Sequence, residues 1–212
     1  MIRQIDFFFD FMSPFAYLAH QRLPVLASEY GYVLKYKPIN LPAAKKAAGN
    51  TGPSNREIPA KLRYLTTDMK RWAERYGVPM KFPPSLDSDL INKGTFYAID
   101  RHQTQNYVAA AWRLLWGEGG DPSAAETLTE VALEMGWSPT DFTAYLNSPD
   151  AAECYRKCNQ EAHRRGVFGV PTMLIGDDMW WGNDRLPFLA EHLKSLSTSD
   201  ESENDELTPS GR

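Results

Sequence analysis

The run Ile5-Asp6-Phe7-Phe8-Phe9, followed by Asp10-Phe11-Met12-Ser13-Pro14, constrains this chain more than any other segment. A short apolar run closed by a turn reads as a buried strand. Tyr17-Leu18-Ala19 through Leu26 then reads as a helix. Ser13 therefore stands where a strand hands over to a helix. Pro14 suits the first helical position, where the missing N–H has no intrahelical partner to lose. The N–H groups of a helix start are unpaired, and the local dipole favours negative charge. A serine hydroxyl here has two readings. It is an N-cap for the helix, or it joins the positive helix end in holding a bound thiolate. The residues leave both open.

A second informative segment lies far downstream. Gly166-Val167-Phe168-Gly169-Val170-Pro171-Thr172 precedes the strand-like Met173-Leu174-Ile175. Gly176-Asp177-Asp178 makes a turn, and Met179-Trp180-Trp181 and Gly182-Asn183-Asp184-Arg185-Leu186 follow. Asn183 or Asp184 is placed to cap the helix of Leu186, Phe188, Leu189 and Leu193. Pro171 reads as an edge-strand proline, and its isomer is not set by the residues around it.

The chain has 212 residues, enough for one domain or for a domain with a large insertion. Hydrophobic residues make up 42%, sufficient for a core. No apolar run reaches the roughly 18 residues of a membrane span. Met1 to Asp6 lacks the charged, apolar and small-residue zones of a signal peptide, so a cytoplasmic enzyme is expected. The net charge of −4 is all in one place. Ser197 to Arg212 holds Asp200, Glu201, Glu203, Asp205 and Glu206 against one base, which leaves residues 1–196 formally neutral. The tail lacks apolar periodicity and is expected to be disordered.

Within the neutral body, residues 45–81 are basic. Nine Lys and Arg, among them Lys45, Arg56, Lys70 and Lys81, face three acids. That excess attracts an anionic ligand or forms a solvated helix face. Nucleic acid is not expected as a partner, since the isoelectric point is about 5.6 and no recognition motif accompanies the patch. Cys154 and Cys158 lie four apart on one face of a helix. Without CxxC or HxxxH they do not make a zinc site, and they read as reduced thiols.

The pattern along the chain is strand 5–9, helix 14–30, strand 32–39, a long helical stretch 41–166, strands 172–175 and 178–181, and helix 184–196. In the middle stretch Leu62, Leu65, Met69, Trp72 and Tyr76 recur at helical steps as a core-facing stripe. Ala109, Trp112, Leu115 and Trp116 form another, and Leu128, Val131, Ala132 and Met135 a third.

Six motifs in register carry a resemblance: Phe9-Asp10-Phe11-Met12-Ser13-Pro14-Phe15, Gly49 to Arg56, Arg71-Trp72-Ala73 with Tyr76-Gly77-Val78-Pro79, Trp116-Gly117-Glu118-Gly119, Val167 to Thr172, and Trp181 to Leu186. Through them the chain resembles the 2-hydroxychromene-2-carboxylate isomerases, bacterial relatives of the kappa-class glutathione transferases, over about residues 1–196. The resemblance implies an α/β fold: a thioredoxin-like (DsbA/kappa-class) domain from residues 1–40 and 167–196. A helical insertion at 41–166 splits it, and residues 197–212 are the acidic tail. A ligand pocket is expected between the two parts, and a homodimer is expected.

Redox members of such folds carry CxxC at the strand-to-helix turn. Ser13-Pro14-Phe15-Ala16 has no sulfur, so disulfide exchange is excluded there. The resemblance supplies glutathione as cofactor and implies interconversion of 2-hydroxychromene-2-carboxylate and trans-o-hydroxybenzylidenepyruvate in naphthalene breakdown. Ser13 then holds the glutathione sulfur as a thiolate. Val170 and Pro171 offer backbone to its cysteinyl part, and Trp181, Gly182, Asn183 and Asp184 bind its γ-glutamyl end. Asn50 is a further glutathione contact. Lys45, Asn55 and Arg56 face a small aromatic carboxylate substrate, where two cations suit its charge. Leu86 stands nearest to a position that is Tyr in the isomerases, with Tyr97 further along, so the ring system is open. A serine hydrolase is disfavoured, because no GxSxG elbow is present and the histidines are only His20, His102, His163 and His192. Two alternatives compete: a kappa-type transferase acting on electrophiles, and a redox-dead thioredoxin-like binding module.

Overall fold

The computed structural model describes residues 2–206, with side chains through residue 197. Strand β1 (Arg3–Phe9) leads through the Ser13 turn into α1 (Pro14–His20) and α2 (Leu23–Glu29), then β2 (Tyr32–Pro38). Helices α3 (Leu41–Ala47), α4 (Pro59–Tyr76), α5 (Asp89–Asp100) and α6 (Thr104–Trp112) follow. A π-turn at Arg113–Gly117 precedes α7 (Ala125–Glu134), α8 (Pro139–Leu146) and α9 (Pro149–Arg164). The chain closes with β3 (Thr172–Ile175), β4 (Asp178–Trp181), a 3₁₀ turn (Asn183–Arg185) and α10 (Leu186–Glu206).

The sheet runs β2-β1-β3-β4, with β1 and β2 parallel and the other pairs antiparallel. β1 is central, and its second half is covered on both faces, which is why Phe7-Phe8-Phe9 is apolar throughout. Phe7 and Phe9 join the core shared with α1, α6 and α10, while Phe8 points to the cluster of Ile39, Ala44, Val167 and Leu174. Burying each ring fully contributes roughly 1.5–3 kcal/mol. The insertion is built into this core. Trp112 of α6 packs against Phe7, Phe9 and Phe11 at centroid distances of 6.2, 5.1 and 5.1 Å. Trp116 Nε1 donates to the Phe11 carbonyl at 2.8 Å. No helix among the described residues is long and apolar enough to cross a membrane.

Three expectations change. The helix expected over 14–30 is two helices. Pro24 lacks the donor and its ring would clash with the residue 20 carbonyl, so the chain breaks at Gln21-Arg22 and restarts with Pro24 in a first turn. Residues 197–206, expected to be disordered, continue α10 to Glu206. The buried face of Leu186, Leu189 and Leu193 anchors the start of this helix. The rest of the expected disorder, 207–212, lies outside the described residues. The expected cap at Asn183 or Asp184 is instead a 3₁₀ turn without a side-chain cap, because the Asn183 carbonyl is engaged elsewhere.

Candidate active site

Three segments meet at the end of the sheet where β1 finishes and β3 begins. The first is the turn 10–13. Ser13 is buried and caps α1, its Oγ accepting from Ala16 N at 3.3 Å. Its own N–H donates to the Asp10 carbonyl at 2.9 Å, closing the turn. Helix α1 has seven residues. Charge stabilisation at its start therefore comes from the hydroxyl and the first-turn N–H groups rather than from a long summed dipole.

Asp10 holds this turn in place, and it is buried. Its carboxylate accepts from Met12 N (3.1 Å), Leu41 N (2.9 Å), Ser88 Oγ (2.5 Å) and Asn92 Nδ2 (2.9 Å). Asn92 in turn accepts from Phe11 N at 3.2 Å. One carboxylate thus ties the end of β1 to the starts of α3 and α5. Burial raises the Asp10 pKa above the ordinary carboxylate value, against the lowering effect of its four donors.

The second segment is the loop before β3. Phe8 pairs with Thr172 across the sheet, so Val170-Pro171, joined by a cis peptide, falls at the same end as the Ser13 turn. Thr172 Oγ1 donates to the Gly169 carbonyl at 2.8 Å, and Gly182 N donates to the Pro171 carbonyl at 2.9 Å. The Trp181 indole lies over this loop: a Cβ on Gly169 would sit 2.5 Å from its Nε1. Trp181 also meets the Phe168 ring at 4.8 Å.

The third segment is the 3₁₀ turn, which packs against α1. Gly182 enters it at φ 115°, in the left-handed region that glycine tolerates. Asn183 is 2% exposed, and its Oδ1 accepts from the Tyr76 hydroxyl of α4 at 3.2 Å. Its Nδ2 is buried without a partner. Asp184 is exposed and paired with Arg185 at 2.6 Å. A surface pair of this kind holds a carboxylate only weakly.

Ser13, Val170, Pro171, Trp181, Gly182, Asn183 and Asp184 are thus gathered at one end of the sheet. Lys45, Asn50, Asn55 and Arg56 lie between the middle of α3 and the start of α4, exposed except for half-buried Lys45. Among the described residues no hydrogen bond joins them to that end. Asn55 instead accepts from Lys61 at 3.3 Å. None of the nine cations of 45–81 forms an ion pair among the described residues, and they outnumber the three acids of the stretch. Although Arg56 is exposed, desolvation by the surrounding chain lowers its pKa from the ordinary arginine value. Leu86 is half-buried against the main core, two residues before Ser88 of the Asp10 clamp. Tyr97 packs among Trp137, Phe142 and Tyr145, inside the insertion's core.

His20 is no base for Ser13. It lies at the far end of α1, about 10 Å along a helix of this length. It is buried against Trp112, with Nε2 2.9 Å from the Tyr36 hydroxyl. Burial pushes its pKa down to about 3. A cleft of about 980 Å³ runs along the β2 edge between α2 and the insertion helices α5 and α9, and Cys154 and Cys158 line it. It does separate sheet from insertion, as expected of the pocket, but none of the site residues above lines it. Both cysteines are free, and burial pushes the Cys158 thiol up to about 12. Asp10, Ser88, Asn92 and Tyr76 had no site role assigned from the sequence. Asp10 and Tyr76 stand in the motifs above and Tyr76 in the core-facing stripe, while Ser88 and Asn92 left no signal.

The DSBA-like thioredoxin domain family model matches residues 4–194. A 2-hydroxychromene-2-carboxylate isomerase of Pseudomonas putida is 46% identical over 192 residues, covering 91% of this chain and 95% of that protein. The chain belongs to the 2-hydroxychromene-2-carboxylate isomerase family. A solved structure of a 2-hydroxychromene-2-carboxylate isomerase superposes with a TM-score of 0.90 at 43% identity, covering 94% of this chain and 98% of that one. Glutathione S-transferase kappa 1 of Homo sapiens is a more distant relative, 23% identical over 90% of this chain and 91% of that protein. In this isomerase-family chain, then, a DSBA-like frame carries serine at the strand-to-helix turn, and its two cysteines sit in α9, along a different cleft.

Proposed function

We propose that this protein is a glutathione-dependent isomerase that interconverts 2-hydroxychromene-2-carboxylate and trans-o-hydroxybenzylidenepyruvate. The observation that carries the reading is the buried Ser13 hydroxyl, held by the Asp10 turn beside the Val170-Pro171 loop at a site with no thiol of its own. Sulfur chemistry there requires a ligand's thiol. Bound glutathione supplies a thiolate able to add reversibly to an activated double bond. The residues present fit that group. Asn183 offers a buried amide with no protein partner, and Asp184 an accessible carboxylate beside it. An α-amino acid end carries the matching pair, an anionic acceptor and a cationic donor.

In this reading the Ser13 hydroxyl donates to the sulfur and keeps it ionised. The Val170-Pro171 backbone receives the cysteinyl part, Trp181, Gly182, Asn183 and Asp184 receive the γ-glutamyl end, and Asn50 adds a contact. Lys45, Asn55 and Arg56 take the substrate carboxylate, with Leu86 against the ring. The excess of positive charge over 45–81 favours this over a kappa-type transferase, whose electrophile need not carry a carboxylate. Placement in the cytoplasm, assembly as a homodimer and a role in naphthalene catabolism belong to the same proposal. The test mixes protein with the chromene carboxylate and follows its spectrum with and without added glutathione. Conversion that requires glutathione is expected. Glutathione-independent conversion, or none with it, refutes the reading.

A further inference from the structure

We propose that Tyr76 is a positioning residue for glutathione: its hydroxyl orients the Asn183 carboxamide so that the free amide end meets the γ-glutamyl carboxylate. The inference rests on the glutathione reading above and adds a residue from the helical insertion to it.

The Asn183 side chain has two polar ends. The carbonyl end accepts from Tyr76 at 3.2 Å, across 107 residues of chain. The other end, Nδ2, is buried with no partner. Buried amide donors are almost always satisfied, so this one marks a place for an acceptor. A carboxylate needs the NH₂ end turned toward it. That orientation sends the carbonyl toward Tyr76, where it needs a donor. The tyrosine hydroxyl is that donor, and a phenylalanine is not.

The hydroxyl is also held in a fixed place. Tyr76 is the last residue of α4, and Gly77 ends the helix in the left-handed region at φ 65°. Val78 N returns to the Ala73 carbonyl at 3.0 Å. Two residues past Gly77, the Pro79 carbonyl accepts from the Tyr17 hydroxyl of α1 at 2.8 Å. The Trp72 ring meets Tyr76 at 5.4 Å. Helix α1, which Ser13 caps, is therefore pinned to the same helix end that orients Asn183. The charged groups around the Tyr76 hydroxyl are Arg75, Arg22 and Asp184.

The test is binding, by calorimetry, of glutathione and of cysteinylglycine, which lacks the γ-glutamyl group. Cysteinylglycine is measured as a competitor of glutathione where its own heat is small. Tyr76→Phe should weaken glutathione about tenfold, because the Asn183 carboxamide it no longer orients loses its hydrogen bond to the γ-glutamyl carboxylate. It should leave cysteinylglycine affinity unchanged. In an Asn183→Leu background, Tyr76→Phe should cause no further loss, since the two act as a unit. Equal glutathione affinity in wild type and Tyr76→Phe overturns the proposal. So does an equal loss for both ligands, which marks a general effect on the fold. If the wild type binds no glutathione at all, the functional reading itself falls, and this proposal falls with it.

Discussion

Acid should loosen the helix that carries Ser13, and the size of the effect follows from His20. In the folded protein its ring is enclosed by Phe7, Trp112 and Tyr36 at centroid distances of 6.3, 4.9 and 5.7 Å. Burial pushes its pKa from the ordinary 6.5 down to about 3. The unfolded chain therefore takes up a proton well before the native state does. The sign is fixed: the contribution is absent above about pH 6.5, and stability falls progressively as pH drops from there toward about 3. At pH 5 the unfolded state is favoured by about 1.5 pH units of proton binding, roughly 2 kcal/mol. That is a large part of a typical domain stability of about 5–15 kcal/mol. The assay is urea unfolding at pH 7 and pH 5, for wild type and His20→Gln, which keeps a polar partner for Tyr36. Wild type should lose roughly 2 kcal/mol more than the variant over that interval. Other groups titrate alike in both proteins, so the difference isolates His20. Equal losses would refute the reasoning, and would mean that water reaches the ring in the native state.

Ser13→Ala should lower turnover about ten- to a hundredfold, the value of a hydrogen bond to a charged group, and weaken glutathione binding less; steady-state kinetics beside calorimetry checks both. Unchanged turnover would reduce Ser13 to a helix cap. Arg56→Ala should raise KM for the substrate while leaving kcat and glutathione affinity nearly intact, because it binds ground and transition states alike. An unchanged KM in both Arg56→Ala and Lys45→Ala would make the basic stretch a solvated surface and move the kappa-type transferase ahead. Asp10→Ala strands the Met12 and Leu41 N–H groups, and should cost about 2 kcal/mol in urea unfolding and more than tenfold in turnover as the Ser13 turn relaxes. Wild-type stability and turnover together would show that the clamp is dispensable.

What could be read from the sequence was local. Phe7 to Phe9 announces a doubly covered strand because successive apolar residues there point to both faces, and Ser13-Pro14 announces a helix start because each residue type suits its own position. The hairpin at Gly176-Asp177-Asp178 and the helical middle follow from turn chemistry and helical spacing. The break at Pro24 had a local signal too, outweighed by the periodicity on either side of it. The clamps had none. Asp10 finds Ser88 and Asn92, 78 and 82 residues away, and Tyr76 finds Asn183 across 107. Periodicity marked Tyr76 as core-facing, and its ring does pack on Trp72. Nothing local says that its hydroxyl reaches a turn at the other end of the chain. The stripe also overstated burial at its start, where Leu62 is 40% exposed. The isomer of the Val170-Pro171 bond is set by the loop's tertiary setting, and the surrounding residues carry no mark of it.

The proposed mechanism depends on Ser13 keeping the sulfur of bound glutathione ionised. The ultraviolet absorbance of the thiolate measures this directly, in the binary complex and without substrate. A free thiol of this kind has a pKa of about 8.5. Titrating the wild-type complex should show the thiolate mostly formed at neutral pH, with a midpoint shifted down by about two units or more, roughly 2.7 kcal/mol. In Ser13→Ala the midpoint should return toward the free value. A wild-type midpoint at the free value, or the same depressed midpoint in both proteins, would contradict the assignment.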